Sequence, residues 1–468
     1  MVRHTSVMGV GLLVLAVSAA LLAGCAGPLE REAIDRWQAV DEQRYRTASR
    51  SVADVEQPPS RAVELPGTPT LADYLSYAAE HNPGLEAAFY EWRAALERVP
   101  QARALMDPEL SYSYFVRESM TQQSVSLSQM LPWYGKLRAR GDVALAQALA
   151  AERRFSAQLQ QVCSRVKQAY AEYAYLAQAL TVMREQHRIL EDFEAGAQAR
   201  FEAGDVPYAD MVRAAVAVEQ ALDEIRSYEA RRSSLVGRLN AALGRSADES
   251  LPWPEPLPDA EVAEDEAQLL AELARLNPEL AALQHETASR RQAHRLARQN
   301  VIPDLMLGVE YMDMVTMDDQ VAVMASVNLP IWGGRNRAER AEALAEFGAA
   351  ARRRVDRRNE LESELRLAWY RFEDANRRAA LFQNTLIPMA GEALEATEAA
   401  YAQGQAEFQA LTQAQSALQT LQLTYERTVT DRFQALADLE RLVGRSLSDG
   451  PPQDTNQDDN AGSAPARP

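Results

Sequence analysis

Cysteine, histidine and lysine are scarce in this chain of 468 residues. Two cysteines, Cys25 and Cys163, leave no disulfide framework for a processed chain. Cys163, beside Val162 in a helical stretch, reads as a small inert side chain. The five histidines are His4, His81, His187, His285 and His294. The closest pair is nine residues apart, wrong for two metal ligands on adjacent helical turns. No glycine-rich phosphate loop appears, so the chain is not expected to power work with nucleotides. The net charge of −18, with nearly all positive charge on Arg, offers no basic surface to neutralise phosphates and excludes nucleic acid. The carboxylates lie on helical faces with Arg neighbours and read as solvated surface. No convergent catalytic site is visible, so the expectation is no enzyme, no cofactor and no bound metal. Beyond the first 24 residues no apolar run approaches a membrane helix in length. A mature chain that crosses a membrane must then do so as a β-barrel.

What is present begins with an address. Arg3 and His4 precede an apolar run from Val7 to Leu22, which is short for a membrane span. Leu22-Ala23-Gly24-Cys25 follows, with small residues before a cleavage point. Residues 1–24 read as a signal peptide, and Cys directly after Leu-Ala-Gly resembles the lipobox of bacterial lipoproteins, which implies Cys25 as the lipid-modified first residue of the mature chain. Ala26 is not the Asp that suggests inner-membrane retention, so the outer membrane is expected.

The chain also repeats itself. Asn82-Pro83-Gly84-Leu85 returns as Asn277-Pro278-Glu279-Leu280, Leu131-Pro132-Trp133 as Leu329-Pro330-Ile331-Trp332, and Phe201-Glu202-Ala203-Gly204 as Tyr401-Ala402-Gln403-Gly404. Leu239, Gly244 and Arg245 return as Leu439, Gly444 and Arg445. The offset stays between 195 and 200. A unit this long is no solenoid module, and each copy is half of one architecture. The reading divides the chain into an N-terminal anchored segment at 25–69, repeat 1 at 70–245, a linker at 246–265, repeat 2 at 266–445 and a flexible tail at 446–468.

Within repeat 1, Thr70 caps a short helix from Leu71 to about His81, and Asn82 caps another from Pro83 to about Ala104. A long helix runs from near Lys136 to about Arg200. Its apolar stripe (Leu159, Val162, Val166, Ala169, Tyr173, Leu176, Leu180, Met183) steps by three and four as a heptad seam. Repeat 2 carries the same from about Arg337 to Ala400, through Leu361, Leu365, Ala368, Phe372, Ala375, Ala379, Phe382, Leu386 and Met389, with a kink expected at Pro388. Shorter helices follow the two glycine tips, near Tyr208–Leu243 and Phe408–Val443. A helix of about 65 residues spans roughly 98 Å, and the two shorter ones stacked end to end could lie antiparallel beside most of it.

Between the helices the period changes to two. Ser124, Ser126 and Ser128 alternate with Val125 and Leu127, and Val321, Val323, Ala325 and Val327 alternate with Ala322, Met324 and Ser326. With Leu110–Tyr114 and Leu305–Tyr311 this makes strands at about 108–131 and 303–331. Apolar residues toward lipid and polar ones toward a lumen fit barrel strands. Trp133 and Trp332 then sit at matching membrane interfaces. Ser124, Ser126, Ser128, Met306, Glu310, Met324 and Ser326 are the expected lumen residues. Four strands cannot close a barrel, whereas three chains supply twelve.

Asn-Pro-x-Leu at Asn82 and Asn277, Leu-Pro at Leu131 and Leu329, and aromatic-x-x-Gly at Phe201 and Tyr401 resemble the TolC family of outer-membrane efflux factors. The resemblance covers about Leu71 to Arg445, and the cysteine motif is similar to the branch that works with resistance-nodulation-division pumps. It implies a mainly α fold with a transmembrane β-barrel. The duplicated helix–hairpin–helix unit would trimerise into a 12-stranded barrel and a 12-helix periplasmic tunnel. It also implies an inner-membrane efflux pump and a periplasmic adaptor (a membrane fusion protein) as partners, with outer-membrane lipid around the barrel. The function implied is passive conduction of delivered substrates across the outer membrane.

Some members close the tunnel with aspartates six and nine residues after the second tip glycine. Here those positions are Ala410 and Gln413, so that ring does not carry over. The aperture is expected at Phe201, Gly204, Asp205, Asp210, Tyr401, Gly404 and Glu407. Asp205, Asp210 and Glu407 read equally as helix-start acids. By alternation Met306, Met312 and Met324 face the lumen, and thioethers suit Cu(I) or Ag(I). Space-filling is the plainer reading, and a heavy-metal efflux channel of the same fold is the alternative. A periplasmic adaptor lipoprotein should show one helical hairpin with a flanking β-rich region, not two helical units and two strand pairs.

Overall fold

A computed structural model describes residues 27–44, 65–116, 120–204, 206–259, 262–315 and 317–447. The signal peptide, Cys25, Asp205 and the tail from 448 lie outside the described residues. The chain forms two compact units, and each draws on both repeats. Among the described residues, one takes those within 27–44, 86–157 and 278–359; the other takes those within 65–85, 158–277 and 360–447. No helix among the described residues is long and apolar enough to cross a membrane.

The first unit holds α1 (Pro28–Arg44), most of α3 (Pro83–Arg103), strands β1 (Glu109–Tyr114) and β2 (Thr121–Leu131), and the start of α4 (Tyr134–Glu202). From repeat 2 it takes α7 (Pro278–Gln299), β3 (Leu305–Met314), β4 (Gln320–Val327) and the start of α8 (Gly333–Leu381). The strands form one antiparallel sheet in the order β1-β2-β3-β4. Its helical core is aromatic: Phe89 meets Trp92 at 6.4 Å and Phe155 at 6.2 Å, and Trp37 of α1 stacks on Phe89 at 5.3 Å. α1 is further held by Arg36 on Glu152 and by Arg103 on the buried Glu30. Gly141 makes room for that reach. A Cβ there would stand 2.5 Å from Arg103 Nε. No repeat or periodic motif marked α1 as a helix or its docking.

The second unit holds α2 (Leu71–His81), the remainder of α4, α5 (Tyr208–Leu243), α6 (Glu266–Leu276), the end of α8, a π-helical turn Phe382–Leu386, α9 (Ile387–Ala402) and α10 (Phe408–Val443). Thr70 and Asp73 close a capping box on α2, with Thr70 N donating to Asp73 Oδ2 at 2.8 Å. Val162, Val166, Ala169, Tyr173, Leu176, Leu180 and Met183 form one core with Tyr74, Leu239 and Leu243, as the heptad spacing predicts.

The repeated motifs are the joints of this unit. Asn82 Oδ1 accepts from the Gly84 and Leu85 amides, while its Nδ2 donates to the Ala242 carbonyl at 2.9 Å. Asn277 Nδ2 donates to the Leu442 carbonyl at 2.7 Å, the same bond one repeat later. Each asparagine therefore satisfies an orphan carbonyl at the end of a neighbouring helix. Gly244, at φ 83, completes the fit: a Cβ there would lie 2.6 Å from Pro83 Cδ.

One expectation fails. The repeat 2 seam holds from Leu361 to Phe382, but Met389 is 60% exposed and the next buried residue is Leu394. The π-helical turn inserts an extra residue per turn and rotates the following helix, which turns Met389 off the seam. Pro388 lies just beyond this turn. α4 shows no such break.

Candidate functional sites: the strand sheet and the glycine turns

The sheet has two chemically distinct faces, fixed by its register. Leu127 stands opposite Leu110 and Val309, and Val309 opposite Val323. This row and its neighbours (Tyr112, Val125, Tyr311, Val321) make an exposed apolar face. On the other face Ser126 stands between Ser111 and Glu310, and Ser111 Oγ meets Ser126 Oγ at 2.7 Å. Ser124 is opposite Met312, Ser128 opposite Gly308, and Met306 opposite Ser326. Met324 lies opposite Gly308. The expected lumen residues thus share one face.

Trp133 and Trp332 flank the ends of the hairpins and are 54% and 70% exposed. The Trp133 amide donates to Asp304 Oδ1 at 3.1 Å. Lys136, nearly fully buried, donates to the same oxygen at 2.8 Å and to the Ile302 carbonyl at 2.6 Å. This knot pins the start of α4 to the start of β3. Lys136 is one of two lysines in a chain that otherwise uses arginine, which was the available signal, and sequence reasoning passed over it.

The second unit brings the two glycine turns together. Gly204 and Gly404 take φ 82 and 74, the left-handed region that glycine enters without penalty. Phe201 packs on Tyr208 at 5.7 Å, and Tyr401 on Phe408 at 5.9 Å, so each turn is clasped by an aromatic pair across it. Phe408 is buried with Ala197, Ala214, Leu394 and Leu411, which joins elements of both repeats. Arg200 crosses between the turns. It donates to the Tyr401 carbonyl at 2.6 Å, and its guanidinium stands 4.8 Å over the Tyr401 ring. Burial raises the Tyr401 phenol pKa, with Arg200 pulling the other way. Arg200 is absent from the predicted aperture residues because its repeat partner, Ala400, broke the pattern. Farther from the turns, Gln415 donates to Gln186 between α10 and α4, and both are buried.

Asp210 lies in the first turn of α5 and pairs with Arg213 at 3.1 Å. Glu407 precedes α10, exposed and making no side-chain cap. Both sit as helix-start acids. Beside the first turn Tyr208, Val212 and Val216 line a groove of ≈ 1060 Å³ together with Glu194, Glu219 and Asp223. Among the described residues no three His, Cys, Asp or Glu side chains gather as a metal site.

These features recur in known proteins. The chain is 24% identical over 388 residues to the cobalt-zinc-cadmium resistance protein CzcC of Cupriavidus metallidurans, covering 82% of this chain and 91% of that one. The fold matches the outer membrane protein VceC of Vibrio cholerae with a TM-score of 0.69 at 17% identity, over 81% of this chain and 96% of that one. It matches the MtrE outer membrane channel of Neisseria gonorrhoeae with a TM-score of 0.67 at 18% identity, over 81% and 90% of the two chains. These relatives are described as membrane, channel and resistance proteins, not as enzymes. Two helical units and two strand pairs also set aside the adaptor alternative. The outer membrane efflux protein profile matches residues 74–245 and 269–445, the two repeats in turn, and the chain belongs to the outer membrane efflux protein family.

Proposed function

We propose that three copies of this chain close a twelve-stranded pore in the outer membrane, through which substrates handed over by an inner-membrane pump and a periplasmic adaptor pass passively. The observation that carries this is the four-stranded sheet with one apolar face, one polar face and two unpaired edges, β1 and β4. Open edges in lipid leave backbone groups unsatisfied, so copies must share closure. Twelve strands exceed the roughly eight whose side chains can fill a bore.

The duplication supplies the register of that closure. Leu127 faces Leu110 in the first hairpin as Ala325 faces Leu307 in the second. Transferring the β2–β3 pairing to β4 and the next copy's β1 sets Ala325 opposite Tyr112, Val327 opposite Leu110 and Val323 opposite Tyr114. Apolar faces then meet apolar faces. Cysteines at Ala325 and Tyr112 should crosslink between copies, whereas Ala325 with Ser111 should not. Equal crosslinking of both pairs, or of neither, would overturn the shared barrel.

In this reading Ser124, Ser126, Ser128, Met306, Glu310, Met324 and Ser326 line the bore, and Trp133 and Trp332 mark the membrane interface. Phe201, Gly204, Asp205, Asp210, Tyr401, Gly404 and Glu407 surround the periplasmic aperture. The groove lined by Val212 and Val216 with Glu194, Glu219 and Asp223 suits an adaptor helix with apolar and basic residues. Cys25 carries the lipid. Its support is the Leu-Ala-Gly-Cys run together with α1, which begins at Pro28 and docks firmly on the first unit. Metal export is the second reading, favoured by the likeness to a protein named for cobalt, zinc and cadmium resistance.

A further inference from the structure

Of 13 methionines, eight fall within 106–130 and 306–324, and among the described residues the others, Met183, Met211 and Met389, lie in helices. Composition alone would spread them along the chain. On the face that carries the serines, Met130 stands directly opposite Met306. Met324 stands opposite Gly308, where no side chain intervenes, and its methyl lies 3.5 Å from the place a Gly308 Cβ would take. Directly opposed residues on one face have Cβ atoms about 4.5–5.5 Å apart. Three flexible thioethers therefore border the bare patch over Gly308. Met312 lies farther along the same face, beyond Glu310.

We propose that Met130, Met306 and Met324 form a binding site for soft monovalent d10 cations, Cu(I) or Ag(I), with Met312 as the next station along the strand. The proposal rests on the channel reading, which turns this face into the bore. Met306 and Met324 are 37% and 42% exposed, so burial of apolar surface does not account for their position. Their neighbours are serines and a glutamate, where a wetted wall would ordinarily be polar throughout. Thioether sulfur is a soft donor that favours such ions over hard ones. The strands carry no cysteine or histidine. Neutral thioethers alone bind more loosely than thiolates, which suits a conduit. An ion must bind well enough to enter and loosely enough to leave. The inference does not follow the named relative, whose cobalt, zinc and cadmium are divalent ions.

The test titrates the purified full-length protein in detergent with silver nitrate in chloride-free buffer, reading bound metal by equilibrium dialysis and coordination by X-ray absorption. Wild type should bind Ag(I) through sulfur, with affinity flat between about pH 5 and 7, because a thioether has no proton to lose. The M130L/M306L/M324L variant keeps side-chain volume and should lose at least tenfold in affinity while retaining the other methionines. If that variant does not assemble, M324L alone should weaken binding. Unchanged binding in these variants, or binding that follows Glu310→Gln and falls with acid, would overturn the site. Single-channel recording of the same proteins separates the two readings. Pores without silver binding would sink the metal site alone, and absence of pores in wild type would sink the channel itself.

Discussion

At the scale of single residues, glycines of one backbone conformation differ in their surroundings. Gly244 has Pro83 Cδ 2.6 Å and the His81 carbonyl 3.0 Å from a would-be Cβ, whereas Gly204 has nothing within 4 Å. Alanine at Gly204 meets only the left-handed backbone penalty, about 1–2 kcal/mol. Alanine at Gly244 adds a collision with backbone and a proline ring. Thermal unfolding should therefore show Gly244→Ala clearly less stable than Gly204→Ala, and the reverse order would refute the joint. Charge makes a second prediction. Burial works against ionising Glu172, but hydrogen bonds from Arg427 and Gln434 outweigh it and hold its carboxyl below the usual range. A depressed carboxylate stabilises the fold above its unfolded pKa, and that contribution disappears as pH falls through the folded value. Glu426 is opposite in sign, because burial raises its pKa and its contribution is lost as pH rises through the folded value. Glu172→Gln should flatten the acid limb of a stability–pH curve, and Glu426→Gln should steepen the relative gain toward neutral pH. Matching curves for both variants would contradict the assignment.

At the scale of elements, the two repeats differ where a proline sits. α4 runs unbroken from Tyr134 to Glu202, whereas its counterpart is divided by the π-helical turn before Pro388. Proline removes an amide and crowds the preceding turn, and the wider π turn accommodates it. Hydrogen exchange should be faster across 382–390 than across 182–190. Equal protection would show the turn to be as firmly held as ordinary helix. The strands make an element-scale prediction too. Arg at Val323 or Val327, on the apolar face, should cost about 2–4 kcal/mol near a bilayer midplane. Arg at Ser126 or Ser326 should be better tolerated, as read by membrane insertion. Equal damage on both faces would refute the register's orientation in the membrane.

At the scale of the whole molecule, anchoring and closure are separable. Mass spectrometry of the mature protein should show a lipid-modified Cys25, and an unmodified N-terminus elsewhere would end that proposal. Cys25→Ser should abolish acylation, and if the proposed barrel closes as described, an assembled trimer should remain in the membrane. Cysteines placed at the two glycine turns should crosslink between copies and block conductance. Crosslinks that leave conductance unchanged would move the aperture elsewhere.

Sequence alone determined the duplication, most helices of the two repeats and the alternating strands, because each rests on local periodicity that survives any packing. It also set the polar and apolar sheet faces, since side chains in a strand alternate by two whatever the strand pairs with. Only the tertiary structure explained why Asn82 and Gly244 recur together, because their contact joins residues far apart in the chain. The same holds for α1, whose place depends on Phe89 and Glu152, and for Arg200, which acts on the turn of the other repeat. The seam beyond Phe382 failed for a related reason. A heptad count assumes a constant helical pitch, and a single wider turn shifts every residue after it to a new face.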